Sequence, residues 1–206
     1  MDRTRFGVKE DWWDEDLRYN YSLNQDSIVF DLGGYHGLFS KQIYNRYKCN
    51  IHTFEPIDYL YDICYQELKD LDKVKLYRKV LGDKNDTVNF YVAGDASSIY
   101  MAWGQVKNEN SYIEMIPIDN YMADKNIHEV DLLKMNIEGA EYYLLEYMID
   151  KEILTKFKNI QIQFHENSVD NWKERYNKIT DALSLTHFLT YKFEFKFENW
   201  QLKDNL

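Results

Sequence analysis

A chain of 206 residues carrying a formal net charge of −10, from 35 acidic against 25 basic residues, is long enough for one domain and too acidic to suit a polyanionic partner. Its 45% hydrophobic and 17% aromatic content is ample for a core. With no run of 18 apolar residues and no apolar leader in MDRTRFGVKEDWW, it reads as a soluble, cytoplasmic protein with no membrane span and no nucleic-acid partner.

The predicted elements alternate along the chain. Residues 9–20 read as a helix, 27–32 as a strand, 37–47 as a helix, 50–55 as a strand and 57–70 as a helix, where Leu60, Ile63, Cys64 and Leu68 recur at helical spacing. A strand is expected over 74–81. Residues 86–118 break the rhythm with two further strands, DTVNFYV and SYIEMIPI, separated by a polar loop that holds Ser97 and Ser98. Alternation returns with a helix over 119–126, a strand over 130–136, a helix over 139–149, a strand over 159–165 and a helix over 170–184. Segments 187–193 and 194–201 read as a terminal β-hairpin. Strands alternating with helices imply an α/β fold, a parallel sheet covered on both faces, here with an antiparallel C-terminal edge. Cys49 and Cys64 sit inside these patterns without a CxxC partner, so they read as reduced core thiols, and no zinc site is expected.

The stretch SIVFDLGGYHGLF concentrates three of the chain's 8 glycines, Gly33, Gly34 and Gly37, at the end of the first strand. Ligands of such sheets bind beyond the carboxyl ends of the strands, and glycines there let the backbone come close to them. The spacing is not the G-x-G-x-x-G of a dinucleotide site. Asp31 precedes the glycines by two positions, where a carboxylate would repel a pyrophosphate and suit a cationic or zwitterionic group such as the amino-acid end of S-adenosylmethionine. The second strand ends in Phe54-Glu55-Pro56, and a carboxylate about 20 residues on can accept hydrogen bonds from ribose hydroxyls. After the third strand, Leu81 is expected to pack on the adenine ring and Asp83 to accept from its amino group. A turn and a helix cap are the purely structural alternatives at these positions.

The stretch VDLLKMNIEGAEYYLLEYM ends a buried strand at Asn136 and opens a helix with Glu138, Gly139, Ala140 and Glu141. Two carboxylates at a helix N-terminus are favoured by its dipole; they are also placed to stand at the rim of a cleft. Taken with Asp31-Leu32-Gly33-Gly34-Tyr35-His36-Gly37, Phe54-Glu55-Pro56 and Ile116-Pro117-Ile118-Asp119, this stretch resembles the FkbM-like family of S-adenosylmethionine-dependent methyltransferases over roughly residues 27–166. The resemblance implies a Rossmann-like class I methyltransferase fold, a mostly parallel seven-stranded sheet with an antiparallel C-terminal edge and a small β insertion around 86–118. It implies one domain over 1–206, a helical cap over 1–25 and a catalytic core over 26–206. Asp31, Gly33, Gly34, Tyr35, Gly37, Glu55, Pro56, Leu81, Asp83 and Asn136 would bind the cofactor.

The family usually carries aspartate where this chain has Asn136, which cannot act as a base and is a poorer ligand for a hard cation, so no metal is expected. Family members mainly methylate oxygen, often a sugar hydroxyl, which makes a sugar, glycan or nucleotide sugar the expected acceptor. A hydroxyl needs a base. His165, in IQIQFHE, is the candidate, neutral near physiological pH if its titration is ordinary, with Glu166 or Glu138 orienting it or acting instead. His36 could touch cofactor or acceptor, although helix packing is its duller role, and Trp12, Trp13, Tyr100, Trp103 and Trp200 could cover the cleft. A non-sugar acceptor, or a catalytically silent scaffold, are the competing readings.

Overall fold

The computed structural model describes residues 15–92, 106–193 and 197–204. A 3₁₀ helix, Glu15–Tyr19, is the described part of the expected N-terminal helix. There follow β1 (Ile28–Leu32), α1 (Leu38–Tyr47), β2 (Asn50–Phe54), α2 (Asp58–Leu68), β3 (Val74–Tyr77), β4 (Val80–Gly82), β5 (Asp86–Val92), β6 (Val106–Pro117), α3 (Ile118–Asp124), β7 (Leu132–Met135), α4 (Ala140–Asp150), β8 (Asn159–Ile162), α5 (Trp172–Thr186), β9 (His187–Lys192) and β10 (Glu198–Leu202).

Seven strands form one sheet in the order β3-β2-β1-β7-β8-β10-β9. The first five are parallel, and β10 runs antiparallel to both β8 and β9. The α/β class, the mostly parallel sheet and the antiparallel C-terminal edge are therefore as expected. The chain winds outward from β1 to β3, then crosses to β7 on the other side of β1. The strand order thus reverses between β1 and β7, and a crevice opens at their carboxyl ends.

One expected strand is two. The run over 74–81 breaks at Arg78 and Lys79, whose side chains leave the sheet to pair with Asp58 and Glu114. β3 stays at the edge of the large sheet, and β4 joins β6 and β5 in a three-stranded sheet. The strand expected over 159–165 stops at Ile162. Gln163 still bonds the carbonyl of Met135, and then the backbone N–H of His165 is captured by the Glu141 carboxylate at 2.8 Å, which turns the chain off the sheet.

The main apolar core lies between the sheet and α3, α4 and α5, where Phe30, Leu133, Leu145, Phe157, Ile160 and Trp200 have no exposed surface. Trp200 is therefore a core residue and no cover for the cleft: its indole N–H donates to Glu198 inside β10. Trp12, Trp13, Tyr100 and Trp103, like Ser97 and Ser98, lie outside the described residues. Cys49 and Cys64 are buried thiols, and burial pushes that of Cys49 up to about 11. Among the described residues no helix is long and apolar enough to cross a membrane.

Candidate active site

The crevice at the β1–β7 switch is an open cleft, in the place where sheets of this kind hold their ligands. Its walls are Leu32, Gly33 and Tyr35 after β1, Phe54 to Ile57 and Leu60 after β2, Lys79 to Leu81 at β4, and Asn136 to Glu138 with Ala140 after β7. Six of the ten expected cofactor residues stand there: Gly33, Tyr35, Glu55, Pro56, Leu81 and Asn136.

Asp31, Gly34, Gly37 and Asp83 do not line it, and the physical reasons differ. Asp31 has no exposed surface and spends its carboxylate on protein: Oδ1 takes a hydrogen bond of 2.8 Å from Lys134 Nζ, and Oδ2 one of 2.7 Å from the Ser40 hydroxyl. The expectation that it faces a cationic group is corrected. The cation it faces is Lys134 of β7, which also donates to the Gly33 carbonyl at 2.7 Å. This buried pair ties the end of β1 to β7 and holds the glycine turn in place.

The glycines, too, serve the protein before any ligand. A Cβ on Gly33 would lie 2.0 Å from the Asn136 carbonyl oxygen, and the residue has φ +80. On Gly34 it would lie 2.6 Å from Thr53 Cγ2. The absent side chains let the β1 turn settle against the β7 turn and β2, so that backbone, and not side chain, forms the floor of the cleft. Asp83 follows β4 beyond the wall.

Glu55 is both cap and wall. Its carboxylate is 3% exposed and accepts the N–H of Tyr35 at 2.8 Å and that of Ile57 at 2.9 Å. Burial outweighs these bonds and raises its pKa to about 7. Each carboxylate oxygen keeps a further lone pair for a donor in the cleft. Asn136 also lines the cleft, and its Oδ1 is buried with no hydrogen-bond partner among the described residues, an exception to the rule that buried acceptors are paired.

At the mouth, the β7–α4 turn and the segment after β8 meet in a cluster that the sequence placed only in part. Glu138 lines the cleft with φ +54. His165 Nε2 is 3.2 Å from Glu138 Oε1, and Nδ1 is 3.1 Å from Glu141 Oε1. Burial alone would push the imidazole pKa down, but the hydrogen bonds to Glu138 and Glu141 prevail and raise it to about 10. The neutral, proton-accepting histidine that was expected is therefore an imidazolium bridging two carboxylates at neutral pH. Glu166 is exposed in the following turn and does not reach the wall, and the His36 ring stacks on that of Tyr35 at 3.8 Å. Glu141, expected at the rim, has no exposed surface.

Residues the sequence did not single out are Lys134, whose role depends on a partner far along the chain, and Lys79, Val80 and Ile137 of the wall. The signal for Lys134 was a lone lysine in a run of buried apolar residues, a position that demands a counter-ion.

A family model described as "Methyltransferase FkbM domain" matches residues 31–193. Among curated proteins, the chain is 23% identical over 175 residues to "2-O-methyltransferase NoeI" of Sinorhizobium fredii (strain NBRC 101917 / NGR234), covering 77% of this chain and 71% of that one. Among solved structures, a putative rRNA methylase from Clostridium thermocellum superposes with TM-score 0.55 at 11% identity, covering 91% of this chain and 92% of that one. Methanococcus jannaschii fibrillarin, a pre-rRNA processing protein, does so with TM-score 0.50 at 13% identity, covering 87% and 67%. At such identities the structures speak for the fold alone. The cleft nonetheless fits the group such a fold holds: the buried carboxylate of Glu55 and the orphaned amide oxygen of Asn136 belong to residues that share its wall with the apolar Phe54, Leu60 and Leu81. The match from the first glycine turn to the last hairpin places this chain in the FkbM methyltransferase family, with S-adenosylmethionine as its cofactor.

Proposed function

We propose that the protein transfers a methyl group to a hydroxyl of a sugar, glycan or nucleotide sugar. The carrying observation is the carboxylate of Glu138 at the mouth of the cleft, in contact with the protonated ring of His165 and 25% exposed. It is an acceptor for a hydroxyl proton, standing beside the wall that takes the cofactor. The 2-O-methyltransferase name of the curated relative supports oxygen as the target, and the net charge of −10 disfavours a polyanion such as RNA.

Glu55 would hold the ribose hydroxyls, Asn136 Oδ1 a donor of the amino-acid end, and Leu60 and Leu81 the apolar flank of the adenine. Bound there, the cofactor supplies an electrophilic methyl on a sulfonium whose sulfur keeps the bonding pair as the methyl leaves. The chain's own part is to align the acceptor and remove its proton. As the hydroxyl oxygen uses its electron pair to form the new bond to carbon, its proton passes to Glu138 and later to water. One imidazolium and two carboxylates give the cluster a net charge of −1, which complements a sulfonium. When the proton arrives the cluster is neutral, as the sulfur then is, so little charge is left uncompensated in a partly buried site.

The test is incubation with methyl-labelled cofactor and a panel of free saccharides, glycans and nucleotide sugars, with amines and small phenols alongside. Label in a base-stable saccharide ether is expected. Label only in an amine or a non-sugar hydroxyl overturns the acceptor class, and no transfer to any compound, with cofactor binding intact, overturns the enzyme reading.

A further inference from the structure

Glu141 joins two turns that the chain places 24 residues apart. It opens α4 without any exposed surface, and both its oxygens are committed. Oε2 accepts the N–H of Gly139 at 2.8 Å, while Oε1 accepts the backbone N–H of His165 at 2.8 Å and lies 3.1 Å from Nδ1 of the same residue. The carbonyl of His165 is held as well, by the Ser168 hydroxyl at 2.7 Å and that of Tyr142 at 3.3 Å. Both backbone polar groups and both ring nitrogens of His165 are thus engaged. A carboxylate needed only to cap α4 would have done so through Gly139 and could have remained in solvent. This one is buried, at considerable desolvation cost, against an ionisable ring.

The opposite carboxylate is fixed with equal care. Glu138 sits in the left-handed region, which non-glycine residues rarely adopt, and Gly139 beside it has φ +101. A Cβ on Gly139 would stand 2.8 Å from Ser168, the residue that holds the His165 carbonyl. The β7–α4 turn and the segment after β8 are therefore packed backbone against side chain, with the imidazole between them.

We propose that Glu141 is a positioning residue for methyl transfer: by occupying Nδ1 it holds the His165 ring doubly protonated, with Nε2–H directed at Glu138, and so fixes the carboxylate that takes the acceptor's proton. This rests on the methyl-transfer reading above. It assigns three graded roles along one line, from a fully buried anchor through a bridging cation to a carboxylate in the cleft wall.

The experiment is a ¹⁵N NMR titration of the histidine rings of the whole chain, with the His165 signal assigned by its loss in His165→Gln, alongside steady-state kinetics. In the wild type the His165 ring stays cationic past pH 8. In Glu141→Gln its titration falls by at least about one pH unit toward the ordinary ~6.5, and kcat falls on the order of 10²-fold through loss of alignment, with the cofactor KM within about twofold. The alkaline limb of the pH–rate profile moves down with the titration, which a merely structural loss of stability would not cause. Glu138→Gln makes a parallel test on a part-exposed residue should Glu141→Gln fail to fold: with Glu141 in place the ring must still titrate above ~6.5, and titration at the ordinary value overturns the inference. A wild type that methylates none of the saccharides overturns the proposed function. A wild type that methylates them, with the Glu141→Gln titration unshifted, overturns this inference alone.

Discussion

Two ion-pair clusters stand at the carboxyl end of the sheet, one between β1 and β7 and one where the segments after β7 and β8 meet, and their contrast explains how the site is built. Asp31 and Lys134 are 0% and 4% exposed, 2.8 Å apart, and are closed off by Ser40, Thr53 and the carbonyl of Gly33. Glu141, His165 and Glu138 run from 0% through 18% to 25% exposed, ending in the cleft wall. The first cluster has every charge matched and no path to solvent, so it can only hold backbone in place. The second is anchored at one end and open at the other, which is what the proposed proton transfer requires. The same residue types give scaffold or chemistry according to where the burial ends.

The largest effect should follow from breaking the sealed cluster on one side. Lys134→Met leaves Asp31 buried and unpaired, and a loss of about 3–5 kcal/mol is expected, read as a fall in the denaturant midpoint. The double variant with Asp31→Leu should recover much of it, because an apolar pair replaces an ionic one. If Lys134→Met alone is as stable as wild type, the scaffold role is wrong.

Glu138→Gln addresses the open cluster. It removes the proposed proton acceptor and should lower kcat by about 10²–10⁴, while S-adenosylhomocysteine binding changes little. A variant within a few-fold of wild type would exclude Glu138 as the acceptor.

A smaller effect concerns stability against pH. The His165 pKa is raised from the ordinary ~6.5 to about 10, so its contribution is complete below ~6.5 and is lost as pH rises through about 10. The melting temperature of the wild type should therefore fall more steeply between pH 7 and 10 than that of His165→Gln. Parallel curves would mean that the ring is not charged in the folded state.

The glycine turn, Glu55 and the β7 motif were legible because each lies in a short continuous stretch whose geometry is local. The split of the third strand was not. Val74, Leu76 and Val80 keep one alternating register on either side of Arg78 and Lys79, and those two residues find their partners, Asp58 and Glu114, one before and one after in the chain. The position of His165 was legible and its state was not, since the carboxylate that sets the state is contributed 24 residues earlier and buried by the fold. Asp31 misled for the same reason: its counter-ion stands 103 residues on, in β7.

The smallest of the expected effects is a pH dependence of cofactor affinity. Glu55 carries a pKa raised by burial to about 7, and donors from a ribose favour its ionised form. Binding should tighten as pH rises through about 7 and release a proton. Calorimetry in two buffers of different ionisation enthalpy would detect that proton, and an affinity independent of pH from 5.5 to 8 would count against the carboxylate's part in binding.

The division between a half that holds the cofactor and a half that moves the proton is tested most directly by calorimetry with S-adenosylhomocysteine on three proteins: wild type, Glu55→Ala and Glu138→Gln. Wild type and Glu138→Gln should bind alike, and Glu55→Ala should bind at least about tenfold more weakly, as the loss of charge-assisted hydrogen bonds worth roughly 1.5–3 kcal/mol each requires. Absence of binding by the wild type, or a Glu55→Ala variant that binds as the wild type does, would contradict the account.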